Sequence, residues 1–277
     1  EDGRVWTHPR LTAAAVRWRD DPTGTKHAVR TFRTWPQETE GERAPKMRTH
    51  IALSKAEAVD AYWYPQNRRI EWLADVIVHA VGLALAVFGC ILLVTTAANS
   101  GSVKLTAGLL VYSIGLLAML VCSTLYNSNT NAKLSRLFER FDLSGIFIMI
   151  AASYTPFMLG SLDGPWAWTM LGVVWAVALC GVALNLLAPW NAPRIYIAMY
   201  MVLGWAALAI IDRLVHSLSP LRLGLLAAGG ILYTVGVIFH LNKKWPFNSA
   251  IWHTFVIAAA TCHFAAIYLD IASSGIV

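Results

Sequence analysis

From residue 70 onward the chain is a succession of apolar runs separated by short polar connectors, at roughly 72–97, 105–126, 142–160, 166–188, 195–211, 221–240 and 250–271. A membrane-spanning helix needs about 20 mostly apolar residues. Lipid offers backbone groups no partner, so each run must bond internally as a helix. The seven runs therefore predict an all-α membrane protein, a seven-helix bundle whose fifth span is the shortest. Composition agrees: 57% of the 277 residues are hydrophobic and 14% are charged, against about 25% charged in soluble domains. So few charges cannot cover that much apolar surface in water, which excludes an ordinary soluble enzyme.

Charge supplies the orientation. Arg68, Arg69, Lys133, Arg136, Arg140, Arg194, Lys243 and Lys244 fall on one side of the alternating spans, and Lys104, Arg213 and Arg222 on the other. Lys and Arg mark cytoplasmic segments, so the N-terminus is expected in the cytoplasm and the C-terminus outside. Trp72, Trp166, Trp168, Trp190, Trp245 and Trp252 stand near span ends, as interfacial aromatics do. The basic residues beside the spans have no binding fold behind them, so no nucleic-acid partner is expected. Membrane lipids are the expected partners, and self-association is left open. Cys90, Cys122, Cys180 and Cys262 lie in apolar runs without CxxC spacing and read as reduced thiols.

Residues 1–66 mix charge, Pro and Trp without sustained periodicity. They read as an N-terminal cytoplasmic segment, either disordered or in part outside the native reading frame, ahead of a membrane domain over 67–277. Met47 is a candidate start, because the chain runs quickly into the membrane from there.

Ionisable groups are expensive inside a bilayer and mark candidate sites. Glu71, Asp75 and His79 are spaced i, i+4, i+8 and share one face of the first helix. Ser123 and Asn127 are one turn apart at the end of the second span, and Asp142 opens the third, where a helix dipole favours a carboxylate. His240 closes the sixth span, and Ser249 and His253 are one turn apart at the start of the seventh. Alternating helix direction brings these groups to one membrane level, the cytoplasmic one, and predicts a shared polar site of Glu71, Asp75, His79, Asn127, Asp142, Ser249 and His253. His263, about 15 Å deeper than His253 and about 80° around the helix, reads as a separate buried histidine. Pro156 and the Gly229–Gly230 pair read as packing features.

The segments ADVIVHAVG, STLYN, FDLSGIFIMIAASYTPF and AIWHTFVIAAATCHFAAI resemble the hemolysin III family, the bacterial branch of the progestin and adipoQ receptor superfamily. The likeness covers roughly residues 63–277. It implies a seven-helix bundle with a cytoplasmic N-terminus, placed as a multi-pass protein in the inner (cell) membrane. Receptor members of the superfamily hold zinc near the cytoplasmic face through a His closing the second helix and two His opening the seventh, with an Asp nearby through water. Carried over, the Asp position is Asp142 and the second seventh-helix His is His253. The other two His positions are occupied by Asn127 and Ser249, which do not replace imidazole well on zinc. A rebuilt zinc set would draw on His79, His240 and His253 with Asp142.

Three functions are in view at this point. The first is a lipid-sensing, lipid-binding or membrane-permeability role through the polar site. The second is a zinc-dependent, ceramidase-like lipid amide hydrolase, with Asp142 and Ser123 as candidate catalytic groups. The third is a proton-coupled transporter relaying through Glu71, Asp75, His79, Asp142 and His253. No amphipathic helix of a lytic kind stands apart from the bundle.

Overall fold

Among the described residues, seven helices are long and apolar enough to cross a membrane. The structure, a computed structural model, describes residues 12–20, 26–33, 51–53, 55–129, 131–162, 164–187, 193–242 and 244–273. Trp190, Lys243 and Met47 lie outside the described residues, as does the side chain of Arg68. The chain divides after Ile70 into two compact units.

In the first unit, β1 (Thr12–Asp20), β2 (Lys26–Arg33) and β3 (Ile51–Leu53) form an antiparallel sheet in the order β1-β2-β3. Val16 pairs with Arg30, and Trp18 with Ala28. These stretches lie in the segment for which disorder was one of two expectations. They hold Val, Thr, Phe and Trp at strand-favouring density, over too few residues for periodicity to stand out.

The second unit is built from α1 (Lys55–Asn99), whose residues from Glu71 belong to it, α2 (Val103–Ser128), α3 (Ala132–Gly160), α4 (Pro165–Leu187), α5 (Pro193–Gly204), α6 (Ile211–Ser217), α7 (Pro220–Leu241) and α8 (Asn248–Ser273). A 3₁₀ segment, Trp205–Ile210, joins α5 to α6, and together they make the fifth span, Arg194–Ser217. Hydropathy alone ends that span near residue 211, because Asp212 and Arg213 interrupt the apolar run. The helix nevertheless continues, with Asp212 and His216 exposed one turn apart. Tyr154 of α3 holds the irregular segment: its hydroxyl lies 3.0 and 2.9 Å from the carbonyls of Leu203 and Gly204 and accepts from the Ala207 amide at 2.9 Å. Backbone groups freed by the change of helix type thus find a partner at membrane depth.

Bulky side chains such as Leu93, Leu109, Tyr112, Phe147 and Ile267 fill the interior, while Phe88, Ile91, Ile114 and Val202 face outward. Apolar side chains on the outer surface are what lipid as a solvent permits. Exposed Trp72, Trp166, Trp168 and Trp245 sit near the helix ends. Glycine brings α2 and α3 together at both ends of their contact. A Cβ on Gly108 would come within 3.1 Å of the Pro156 Cα, and one on Gly145 within 3.1 Å of the Met119 Cα. Backbone cannot yield at such a distance, so small residues are required there. Gly229 plays the same part on α7, where a Cβ would collide with the His263 ring. The four cysteines are free.

Candidate functional site

Asp75 is the centre of the polar cluster. The i, i+4 spacing on α1 lets His79 Nδ1 donate to the Asp75 main-chain carbonyl at 2.8 Å, with the Asp75 carboxylate 3.8 Å away. From α8, His253 Nδ1 donates to Asp75 Oδ1 at 2.6 Å. Carbonyl and carboxylate oxygens only accept, so both imidazoles carry their proton on Nδ1 and keep Nε2 as an acceptor. The rings meet edge to face, with centroids 4.3 Å apart. Ser123 Oγ donates to His79 Nε2 at 3.2 Å. Asn127 Nδ2 donates to the Ser123 carbonyl at 2.9 Å and reaches Ser123 Oγ at 3.4 Å. Asp75, His79, Ser123 and His253 are all buried. A buried carboxylate in a membrane needs a partner, and here the His253 imidazole supplies it.

Half-buried Asp142 accepts a side-chain hydrogen bond from Ser123 and lies within electrostatic reach of His253 and Asp75. It is not in a first turn: α3 begins ten residues earlier at Ala132, where Asn131 caps it by accepting from the Lys133 amide at 3.0 Å. The charged run KLSRLFER stays helical outside the apolar stretch, so the dipole account of Asp142 does not apply.

His79, Ser123, Asn127, Asp142, His240, Ser249 and His253 all line one cavity of about 590 Å³. Tyr126, Tyr200 and Asn248 join them there, unmarked by any ionisable-residue search of the sequence. His240 packs against Trp252, with ring centroids 5.1 Å apart. Glu71 is half-buried and not among the lining residues. Away from the polar end the lining is apolar, with Met149, Ile150, Phe157, Leu214, Leu223 and Val256 prominent. His263 lies along this stretch, its Nε2 3.3 Å from the Leu226 carbonyl and its ring beside Tyr233.

Among the described residues, Asp75, His79 and His253 form a group whose potential ligand atoms lie within 4.8 Å of one another; His240 and Asp142 stand outside it. The implied zinc fits this arrangement poorly. Tetrahedral zinc holds N and O ligands at about 2.0–2.2 Å, which sets two ligand atoms roughly 3.3 Å apart. The 2.6 Å contact between His253 and Asp75 is a hydrogen bond, too close for two ligands of one ion. His79 has both ring nitrogens engaged, and Asn127 and Ser249 supply no imidazole. The residues present fit a self-contained hydrogen-bonded array.

A second polar centre occupies the opposite end of the bundle. Asp270 on α8 pairs with Arg222 on α7 and accepts from Ser161, which caps α3. The sequence reading gave Asp270 no role and Arg222 only an orienting one. The available signal was an acidic residue three residues short of the end of the last apolar helix, facing the start of its antiparallel neighbour.

Fold and site together define the class: a seven-span helical membrane protein with a buried polar site at one end of an internal apolar cavity. A family model described as haemolysin-III related matches residues 70–264. The chain belongs to the haemolysin III family. It is 35% identical to "Hemolysin-3" of Bacillus cereus over 194 residues, which cover 70% of this chain and 89% of that protein. It is 36% identical to "Hemolysin-3 homolog" of Bacillus subtilis (strain 168), covering 70% and 91% respectively. It is 29% identical to human "Monocyte to macrophage differentiation factor", covering 72% and 83%.

Proposed function

We propose that the protein binds a membrane amphiphile carrying one long acyl chain, with the head group at His79, Ser123 and His253, which Asp75 backs, and the chain along the cavity. The observation that carries this reading is the distribution of groups in one continuous space: hydrogen-bonding side chains at one end, aliphatic and aromatic ones beyond. Its 590 Å³ falls within the about 300–1,000 Å³ usual for small-molecule sites. Its lining runs along α7 from Leu223 to His240, about 25 Å at 1.5 Å per residue, which suits an extended fatty acyl chain. Three polar groups around a head would fix orientation while the apolar wall supplies affinity, the usual division in such pockets.

Titration of the purified protein with cis-parinaric acid, a fluorescent fatty acid, tests the reading. Saturable binding is expected, weakened about tenfold or more, equivalent to about 1.4 kcal/mol, by Ile150→Trp, which fills the apolar stretch. Binding unaffected by that substitution contradicts it.

The polar end is assigned to the cytoplasmic face of the cell membrane on the distribution of Lys and Arg. Alkaline phosphatase inserted between α1 and α2 should be active, and inserted between α2 and α3 inactive. The reverse pattern would invert the assignment.

A further inference from the structure

We propose that Ser123, His79 and Asp75 form an acyl-transfer centre that hydrolyses a long-chain carboxylic ester held in the cavity, an inference that rests on the lipid-binding reading above. Activated nucleophiles are recognised by a hydroxyl within about 2.6–3.2 Å of a base that a third group orients. Ser123 Oγ donates to His79 Nε2 at 3.2 Å, and His79 Nδ1 is held by the Asp75 carbonyl at 2.8 Å, with the carboxylate 3.8 Å away. Asp75 is itself fixed from the far side by His253.

The hydroxyl's direction distinguishes this from ordinary satisfaction of a membrane serine. Thr124, Thr155, Thr234, Thr254 and Thr261 each donate to the carbonyl four residues back in their own helix. Such back-bonding is the usual fate of hydroxyls in apolar helices. Ser123 Oγ instead reaches across to other helices, lying 3.2 Å from the His79 Nε2 lone pair on α1 and within hydrogen-bonding reach of the Asp142 carboxylate on α3. The Asn127 amide, 3.4 Å from Oγ, puts an N–H donor beside the point where negative charge would develop on an attacked carbonyl oxygen.

In the first half-reaction His79 Nε2 takes the Ser123 proton as Oγ bonds to the acyl carbon. The carbon–oxygen bond to the alcohol then breaks, and the imidazolium proton passes to the departing oxygen. In the second, His79 removes a proton from a water molecule that attacks the acyl-serine. The fatty acid is released and Ser123 regains its proton. Water is the only co-reactant.

The test uses the full chain in phospholipid nanodiscs, treated with a long-chain alkyl fluorophosphonate and analysed by peptide mass spectrometry. The expected result is a phosphonyl adduct on Ser123, unaffected by EDTA. It should be absent in Ser123→Ala and form about 10²-fold more slowly in His79→Gln, the contribution of a general base. Ser123→Ala should keep its melting temperature, showing that the loss is not one of folding. Wild-type protein that binds parinaric acid but gives no adduct, or one on another serine, overturns this inference and leaves the binding reading standing. Failure to bind parinaric acid overturns both.

Discussion

Replacing Asp270 by alanine is expected to destabilise the bundle by about 3–5 kcal/mol, the usual result of removing one partner of a buried ion pair. Asp270 and Arg222 keep side-chain exposures of only 10% and 15%, so the guanidinium left behind would have little water to turn to. Asp270 also accepts from Ser161, so its loss releases the end of α3 as well as the α7–α8 contact. The double variant Arg222→Met with Asp270→Leu should recover most of the loss, because replacing both charges with apolar groups of similar size removes the penalty of the unpaired one. Thermal unfolding in one detergent, followed by circular dichroism, checks both statements. A single variant within about 0.5 kcal/mol of wild type, the range of neutral surface changes, would show that the pair is not a structural tie.

The second large effect concerns metal. Purified wild-type protein should carry substoichiometric zinc by elemental analysis, because Asp75 and His253 are hydrogen-bonded to each other and His79 is engaged at both nitrogens. Asn127→His with Ser249→His should raise the content to about one zinc per chain, since three imidazoles with an open fourth position make a stable site. Both positions line the cavity with His253 and Asp142, and residue 249 lies one helical turn from His253. Stoichiometric zinc in the wild type that is lost in Asp75→Asn would show that the carboxylate serves as a ligand. Zinc-free double-histidine protein would show that the cavity geometry is no longer that of the resembled receptors.

The membrane architecture was readable from hydropathy because a bilayer demands about 20 apolar residues per crossing. Alternating helix direction converts position along the chain into height, which is why Asn127, Asp142, His240, Ser249 and His253 were expected at one level; all five line the cavity. Rotation about each helix axis did not follow. Whether Asp75 faces His253, 178 residues away, is settled by packing between non-neighbouring helices, which one sequence does not encode as a local pattern. Glu71, Asp75 and His79 share one helix face, yet only His79 is among the cavity-lining residues, and His240 lines the cavity outside the tightest cluster. Three helix boundaries moved, at Lys55, Ala132 and Ser217, for one reason: charged residues end an apolar run without ending a helix. Asp270 and Arg222 escaped notice because each looks, singly, like an ordinary residue at a membrane border.

The claim on which the functional account depends is that a lipid lies in the cavity head-first towards Asp75. Photo-crosslinking with two fatty acids, one bearing a diazirine near the carboxyl group and the other near the terminal methyl, reads this directly. The first should label the polar end, at Tyr126, Asn127 or Ser249, and the second the apolar end, at Phe157, Met158 or Leu214. Identical labelling by both probes, or labelling confined to outward-facing residues such as Phe88 and Ile114, would contradict the account.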